Sequence, residues 1–298
     1  MSYIDVTHLT KDYGAGRGIY DVNLAINKGE VFGFVGTNGA GKTTIVRHLM
    51  GFLKPQQGVL RIDDMDCWFQ ANEIKQLVGY LPGEIAFPDA PTGLSFLKQQ
   101  AELLGLKDFS YANKLIEKLQ LDPTANLKRM SKGMKQKTAI VAALMSNPAI
   151  LILDEPTTGL DPLMRMEFIE ILKDEKKKGK TIFMSSHMFE EVEEICDKVA
   201  MIKDGKIISL TSQVKYSENK IYQIAFNVKE DFDRFCGEPF ECIAQELSNQ
   251  EVTIKLHDNQ INLLFGMLTT YDVKYITETK YTLEKYFTNI YEGATYHV

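Results

Sequence analysis

The sequence holds a single tryptophan, Trp68, and only four cysteines in 298 residues. Cys67, Cys196, Cys236 and Cys242 form no CxxC pair, which removes the usual zinc-ribbon and redox-dithiol readings and leaves reduced core thiols of a cytosolic protein as the expectation. No apolar run approaches the roughly 20 residues needed to cross a bilayer. The longest stretches, such as Ile261 to Leu268, are far shorter, so any work at a membrane requires spans from another chain. The start MSYIDVTHLT lacks the basic-then-apolar layout of a secretion signal. Positive charge is also in deficit: 34 Lys and Arg face 40 Asp and Glu, a net charge of -6. Nothing global therefore draws the chain to nucleic acid or anionic lipid, and an anion site has to be local.

What is present is an ordinary globular composition, 44% hydrophobic and 25% charged, enough for one large domain and a small one. Tyr3 to Leu9 and Tyr20 to Ile26 alternate apolar and polar, as half-exposed strands do, and Val31 to Val35 is continuously apolar, as a buried strand is. Lys42 to Met50 has helical spacing closed by Gly51, and a turn over 54–58 leads to a strand at Val59 to Ile62. Leu94 to Leu104, Ser110 to Leu119 and Lys132 to Met145 read as helices. From Ile150 the pattern is strand, helix, strand, helix, strand (150–153, 163–177, 181–185, 188–195, 199–203), the order that parallel α/β folds require. Asp204-Gly205 turns into a last strand, Ile207 to Leu210. Thr211 to Lys220 reads as a linker, followed by strands at 221–228, 252–256 and 273–277 and a final helix near Leu283 to Tyr291.

Gly36-Thr37-Asn38-Gly39-Ala40-Gly41-Lys42-Thr43 fits the phosphate-loop pattern between an apolar strand and a helix. Its glycines let backbone N–H groups converge on phosphate oxygens at a helix N-terminus, and Thr44 continues that first turn. Lys42 would hold the β- and γ-phosphates of ATP and Thr43 a Mg²⁺ ion. Ile150 to Leu153 runs into Asp154 and Glu155, the arrangement that puts one acid beside Mg²⁺ and lets a second polarise the attacking water. A buried strand that merely ends in solvated acids is the plainer reading of the second motif alone, and the phosphate loop is what weighs against it.

With these two motifs in place, the chain resembles the ATP-binding cassette of ABC transporters over residues 1 to about 210. The resemblance implies that Tyr13 stacks on adenine, although an exposed strand-end tyrosine reads the same way by type. Met130-Ser131-Lys132-Gly133-Met134 looks like a variant of the family signature LSGGQ, with Ser131 and Gly133 kept at the start of a helix, where a plain serine N-cap also fits. In the family this segment closes over nucleotide held by a second cassette. Pro156 to Pro162, with Asp161, resembles the D-loop of the dimer seam, and His187 matches the switch histidine that contacts the γ-phosphate. The family usually has glutamine where Gly83 stands, and Glu84 or an ordered water is the candidate replacement.

The resemblance implies an α/β fold: a P-loop NTPase core with an N-terminal antiparallel β subdomain and an inserted helical subdomain over about 84–147. A small α+β domain would occupy 211–298. It implies an ATPase subunit that pairs with a second cassette and an integral membrane permease at the inner face of the cell membrane. An exporter is favoured by the C-terminal extension, and the segment Ala86 to Leu97, with Phe87 and Phe96, is the candidate permease contact. Two alternatives stay open: a soluble cassette ATPase acting on nucleic acid or ribosomes, and a weakly hydrolysing nucleotide-dependent regulator. The first is disfavoured by the acidic balance, the single phosphate loop and the lack of room for a long coiled coil between Lys42 and Asp154; no nucleic acid is expected. Trp68-Phe69 reads as buried packing by default, with a partner contact as the alternative, the lysines over 173–180 as a wet helix end, and Glu190, Glu191, Glu193 and Glu194 as favourable charge at a helix N-terminus without chemistry.

Overall fold

The computed structural model describes residues 2–212, 219–257, 260–280 and 282–291. Contacts divide the chain into two compact units, Met1–Leu210 and Thr211–Val298.

The first unit begins with β1 (Ile4–Gly14) and β2 (Arg17–Ile26), a hairpin turned by Ala15 and Gly16 at positive φ. Alternation puts Ile4, Val6, Leu9, Val22, Leu24 and Ile26 inside. After β3 (Val31–Val35) and α1 (Lys42–Leu49), β4 (Gln57–Ile62) and β5 (Met65–Asp66) complete a sheet of order β2-β1-β4-β5, with Asp63 and Asp64 at positive φ in the two-residue turn.

The second sheet positions the chemistry. It comprises β3, β6 (Val78–Leu81), β7 (Ile150–Asp154), β8 (Thr181–Ser186), β9 (Lys198–Lys203) and β10 (Lys206–Ser212), in the order β10-β9-β3-β8-β7-β6. β6, β7, β8, β3 and β9 run parallel. VFGFV and ILILD are buried at every position because helices cover both faces of such a sheet. Phe183 packs between Phe32 and Phe34, at ring separations of 6.0 and 5.8 Å. Since β8 lies between β3 and β7, its C-terminal end falls between the loop after β3 and the acids after β7. That edge is where parallel α/β sheets bind ligands.

The insert holds α3 (Gly93–Leu103), α4 (Ser110–Lys118) and α5 (Lys132–Leu144). Thr92 and Ser95 form a capping box on α3, and Ser131 caps α5 by accepting from the Met134 N–H. A groove of about 230 Å³ is lined by Tyr80, Ile85, Phe87, Phe96, Leu104 and Ala139 among others, with Phe87 and Phe96 edge to face at 4.8 Å. α6 (Pro162–Lys177) and α7 (Phe189–Ile195) complete the unit.

In the second unit β11 (Asn219–Phe226), α8 (Lys229–Phe235), β12 (Glu241–Glu246), β13 (Glu251–His257), α9 (Ile261–Leu268), β14 (Val273–Lys280) and α10 (Leu283–Tyr291) follow one another. The antiparallel order β12-β13-β11-β14 is the split βαβ arrangement of ferredoxin-like folds. Its own core holds Tyr222, Ile224, Phe226, Phe232, Ile254 and Leu264.

Several sequence expectations need correction. The linker over 211–220 is strand at both ends, with β10 reaching Ser212 and β11 starting at Asn219; residues 213–218 lie outside the described residues. Phe69 is 80% exposed and Trp68 39%, so this pair is not buried packing; it sits in a turn whose backbone N–H groups donate to the Asp66 carboxylate. The lysines over 173–180 are not simply wet. Lys180 is buried against Glu175, which also accepts from Lys178 at 2.6 Å and from the Tyr111 hydroxyl on α4 at 2.5 Å. This network ties the insert to the end of α6. Cys67 and Cys196 are buried, and burial pushes the Cys67 thiol up to about 12, but Cys242 is exposed and not a core thiol.

Candidate active site

The loop over 36–41 is built from close approaches that a side chain would block. A Cβ at Gly36 would sit 2.5 Å from the Ile202 carbonyl, and one at Gly41, whose φ is +114°, would meet Ile19 at 2.5 Å. Gly41 starts α1 without a side-chain cap, so the first N–H groups of that helix and the positive end of its dipole face the loop. Thr37, Asn38 and Gly39 at the tip are exposed, as is Thr43 in the first turn of α1, while Thr44 is half-buried and Ala40 buried. Gly39 also takes a positive φ, +83°.

Lys42 is only 6% exposed, and its Nζ donates to the carbonyls of Gly36 at 2.6 Å and Thr37 at 3.2 Å. The same Nζ lies 3.1 Å from Glu155 Oε1. Glu155 Oε2 is 2.5 Å from His187 Nδ1, so the ends of β3, β7 and β8 deliver three of the sequence candidates to one cluster. Glu155 takes φ +50°, rare for a residue with a Cβ, and its N–H is held by the Ser185 carbonyl at 3.2 Å and hydroxyl at 3.0 Å.

Asp154 is fully buried. The Ser185 hydroxyl donates to its Oδ1 at 2.5 Å, and its Oδ2 has no hydrogen-bond partner among the described residues. A buried carboxylate oxygen without a donor is costly unless a cation takes it, so this atom fits a metal ligand. Gly83 abuts it: a Cβ there would lie 3.0 Å from Asp154 Oδ2. Glu84, the sequence candidate for the missing glutamine, is exposed, and the described contacts do not bring it to this cluster.

No contact among the described residues joins the remaining candidates to Lys42. Tyr13, 49% exposed at the end of β1, has the Lys11 ammonium 5.9 Å over its ring. Ser131 and Asp161 cap helices: the Asp161 carboxylate accepts from the Met164 N–H at 3.0 Å, starting α6. A Cβ at Gly133 would come within 2.8 Å of the Gly159 carbonyl, so the start of α5 and the loop over 156–161 are in direct backbone approach.

Sequence reasoning missed the side chains beneath this loop. Gln136, buried on α5, donates to the Pro156 carbonyl at 2.6 Å. Glu191, assigned no chemistry from the sequence, is 4% exposed and accepts from the Thr157 and Ser186 hydroxyls at 2.8 and 3.1 Å, with Arg165 Nε at 3.3 Å. Burial pushes its carboxyl above the usual range, opposed by those two hydroxyls and by the charge of Arg165. Helical spacing held a signal. Glu191 falls on the same face of α7 as the buried Val192 and Ile195, whereas Glu190 and Glu194 are exposed.

The family model described as ABC transporter matches residues 19–158. The chain is 40% identical over 198 residues to the ABC transporter ATP-binding protein NatA of Bacillus subtilis, covering 64% of this chain and 80% of that protein. It is 30% identical over 302 residues to the bacitracin transport ATP-binding protein BcrA of Bacillus licheniformis, covering 98% of each. A solved structure of the ATP-binding subunit of an ABC transporter matches with a TM-score of 0.66 and 28% identity, over 72% of this chain and 92% of that one. Phosphate loop, strand-end acids, sheet order and whole-length likeness agree, and the chain belongs to the ABC transporter family as an ATP-binding subunit that hydrolyses ATP.

Proposed function

We propose that the Lys42, Glu155, His187 and Asp154 cluster hydrolyses ATP with Mg²⁺ and that the cycle drives export through a separate membrane permease. The observation that carries this reading is the convergence of Lys42 Nζ, both Glu155 oxygens and His187 Nδ1, together with the unpartnered Oδ2 of Asp154, the residue before Glu155. Backbone N–H groups over 36–44 grip the phosphates, and Lys42 exchanges its carbonyl partners for β- and γ-phosphate oxygens. Thr43 and Asp154 would hold Mg²⁺, which when bound would neutralise charge on those oxygens. Ser185 fixes the Asp154 carboxylate through Oδ1 and so aims Oδ2. Glu155 takes the proton of the water whose oxygen bonds to the γ-phosphorus as the bond to ADP breaks, and His187 orients that carboxylate.

Tyr13 is the proposed adenine platform, while Ser131, Gly133 and Asp161 would face nucleotide held by a second cassette. Exposed Leu163 and Met166 in the first turns of α6 supply apolar surface beside Asp161 for that pairing. No helix among the described residues is long and apolar enough to cross a membrane, which supports a permease on another chain. The groove at Phe87 and Phe96, whose lining also includes Lys75, Gln76 and Gln100, is the proposed seat for a helical segment of that permease, with the cassette at the inner face of the cell membrane. Likeness over the whole chain to a bacitracin transport protein supports a transport role and supports assigning the second unit to the same subunit.

Lys42→Ala tests the reading. Binding of a fluorescent ATP analogue should fall by about a hundredfold or more, as losing a buried cation from a phosphate site implies. Undiminished binding would refute it.

A further inference from the structure

We propose that Glu191 is a positioning residue for ATP hydrolysis, using one carboxylate oxygen to hold the loop after Glu155 and the segment before His187 in register with each other. The inference rests on reading Glu155 and His187 as the hydrolytic pair.

Glu191 Oε2 accepts from two hydroxyls on different segments, Thr157 at 2.8 Å and Ser186 at 3.1 Å. Thr157 follows Glu155 by two residues within a turn closed by the Thr158 N–H on the Glu155 carbonyl at 3.2 Å. Ser186 immediately precedes His187, and its oxygen also accepts from the Met188 N–H at 3.0 Å, so His187 is spanned by a short side-chain turn. The two short turns that present Glu155 and His187 therefore end on the same atom. Thr157, Ser186 and Glu191 are 3%, 1% and 4% exposed, which excludes solvent from the junction. Arg165 on α6 faces the other oxygen, and Gln136 on α5 donates to the Pro156 carbonyl.

A buried carboxylate is an expensive way to fill space, and apolar packing of equal volume is often at least as stable. What the carboxylate adds is direction: hydroxyl hydrogen bonds weaken steeply with angle, so the spacing of the two turns is fixed. Hydrolysis depends on that spacing, because an error of about 1 Å in a reacting group can cost about a hundredfold in rate. Nucleotide gripping by the loop over 36–44 does not pass through this junction.

Three variants test the assignment in the full chain: Glu191→Gln, Thr157→Val and Ser186→Ala. Glu191→Gln removes the charge facing Arg165 and leaves one acceptor oxygen, whereas the other two delete a single hydroxyl each. Each should lower kcat by about tenfold or more, with ATP-analogue affinity and KM within about twofold of the parent. Thr157→Val with Ser186→Ala should be less than additive, since both act through one oxygen. Unchanged kcat in the two hydroxyl variants, or kcat and affinity falling together, would overturn the proposal. Glu155→Gln in the same assay separates the levels. If it hydrolyses ATP normally, the underlying reading has failed; if it is inactive while Glu191→Gln is unaffected, only the role of Glu191 has.

Discussion

His48 lies on α1, at its C-terminal end, and shows how one residue type reads differently once its surroundings are known. Its Nδ1–H donates to the Thr44 carbonyl at 2.7 Å, and its buried Nε2 has no partner among the described residues. Burial lowers its pKa and the Lys11 charge adds to that, while the hydrogen bond to the Thr44 carbonyl opposes it. The unfolded histidine titrates near about 6.5. As pH falls below that value the unfolded chain takes up the proton first, so the stability that neutral His48 contributes is present above about 6.5 and is lost as pH falls through the folded value. The urea midpoint of the ATP-binding unit should drop between pH 7.5 and 5.5, and His48→Leu should lessen that drop; a slope identical in the variant would contradict the assignment.

Among elements, the strand, glycine-rich loop and helix of the proposed phosphate site were legible and those that fill the gaps were not. Phosphate loop, acid pair and buried strands advertise themselves, since a glycine-rich loop must sit between an apolar strand and a helix for its amides to converge. β5, α2 (Ala71–Leu77) and β6 carry no such requirement: α2 lacks a side-chain cap, and β6 starts directly at Val78 with no turn residue between. β12 was missed because its residues are exposed or half-exposed, leaving no alternation to read. The Glu191 junction escaped because it joins the segment over 186–191 to Thr157, 34 positions earlier, a distance that no periodicity spans. The groove is a consequence of the unforeseen β6 lying beside the insert, although the aromatic pair that lines it could be named in advance. Phe87→Asp should abolish co-purification with a permease from detergent-solubilised membranes while leaving basal ATPase within about twofold, since interface hot spots are buried aromatics and Phe87 touches none of the catalytic groups. Retained co-purification would remove the groove as the docking seat.

At the scale of the whole molecule, each unit has its own hydrophobic core, one around Phe32, Phe34 and Phe183 and one around Phe226, Phe232 and Ile254. Separate cores favour separate transitions. Calorimetry should resolve two unfolding events, and ATP with Mg²⁺ should raise only the one belonging to the first unit, by about 2.7 kcal/mol at a hundredfold excess over Kd. Equal shifts of both would contradict independent cores. The central claim, that one strand-end carboxylate at Glu155 takes the proton of the attacking water, is tested most directly by single-turnover hydrolysis in Glu155→Gln. Bound ATP should persist unhydrolysed, with affinity preserved and the rate lowered by about a hundredfold or more. Hydrolysis at the parent rate would contradict the account.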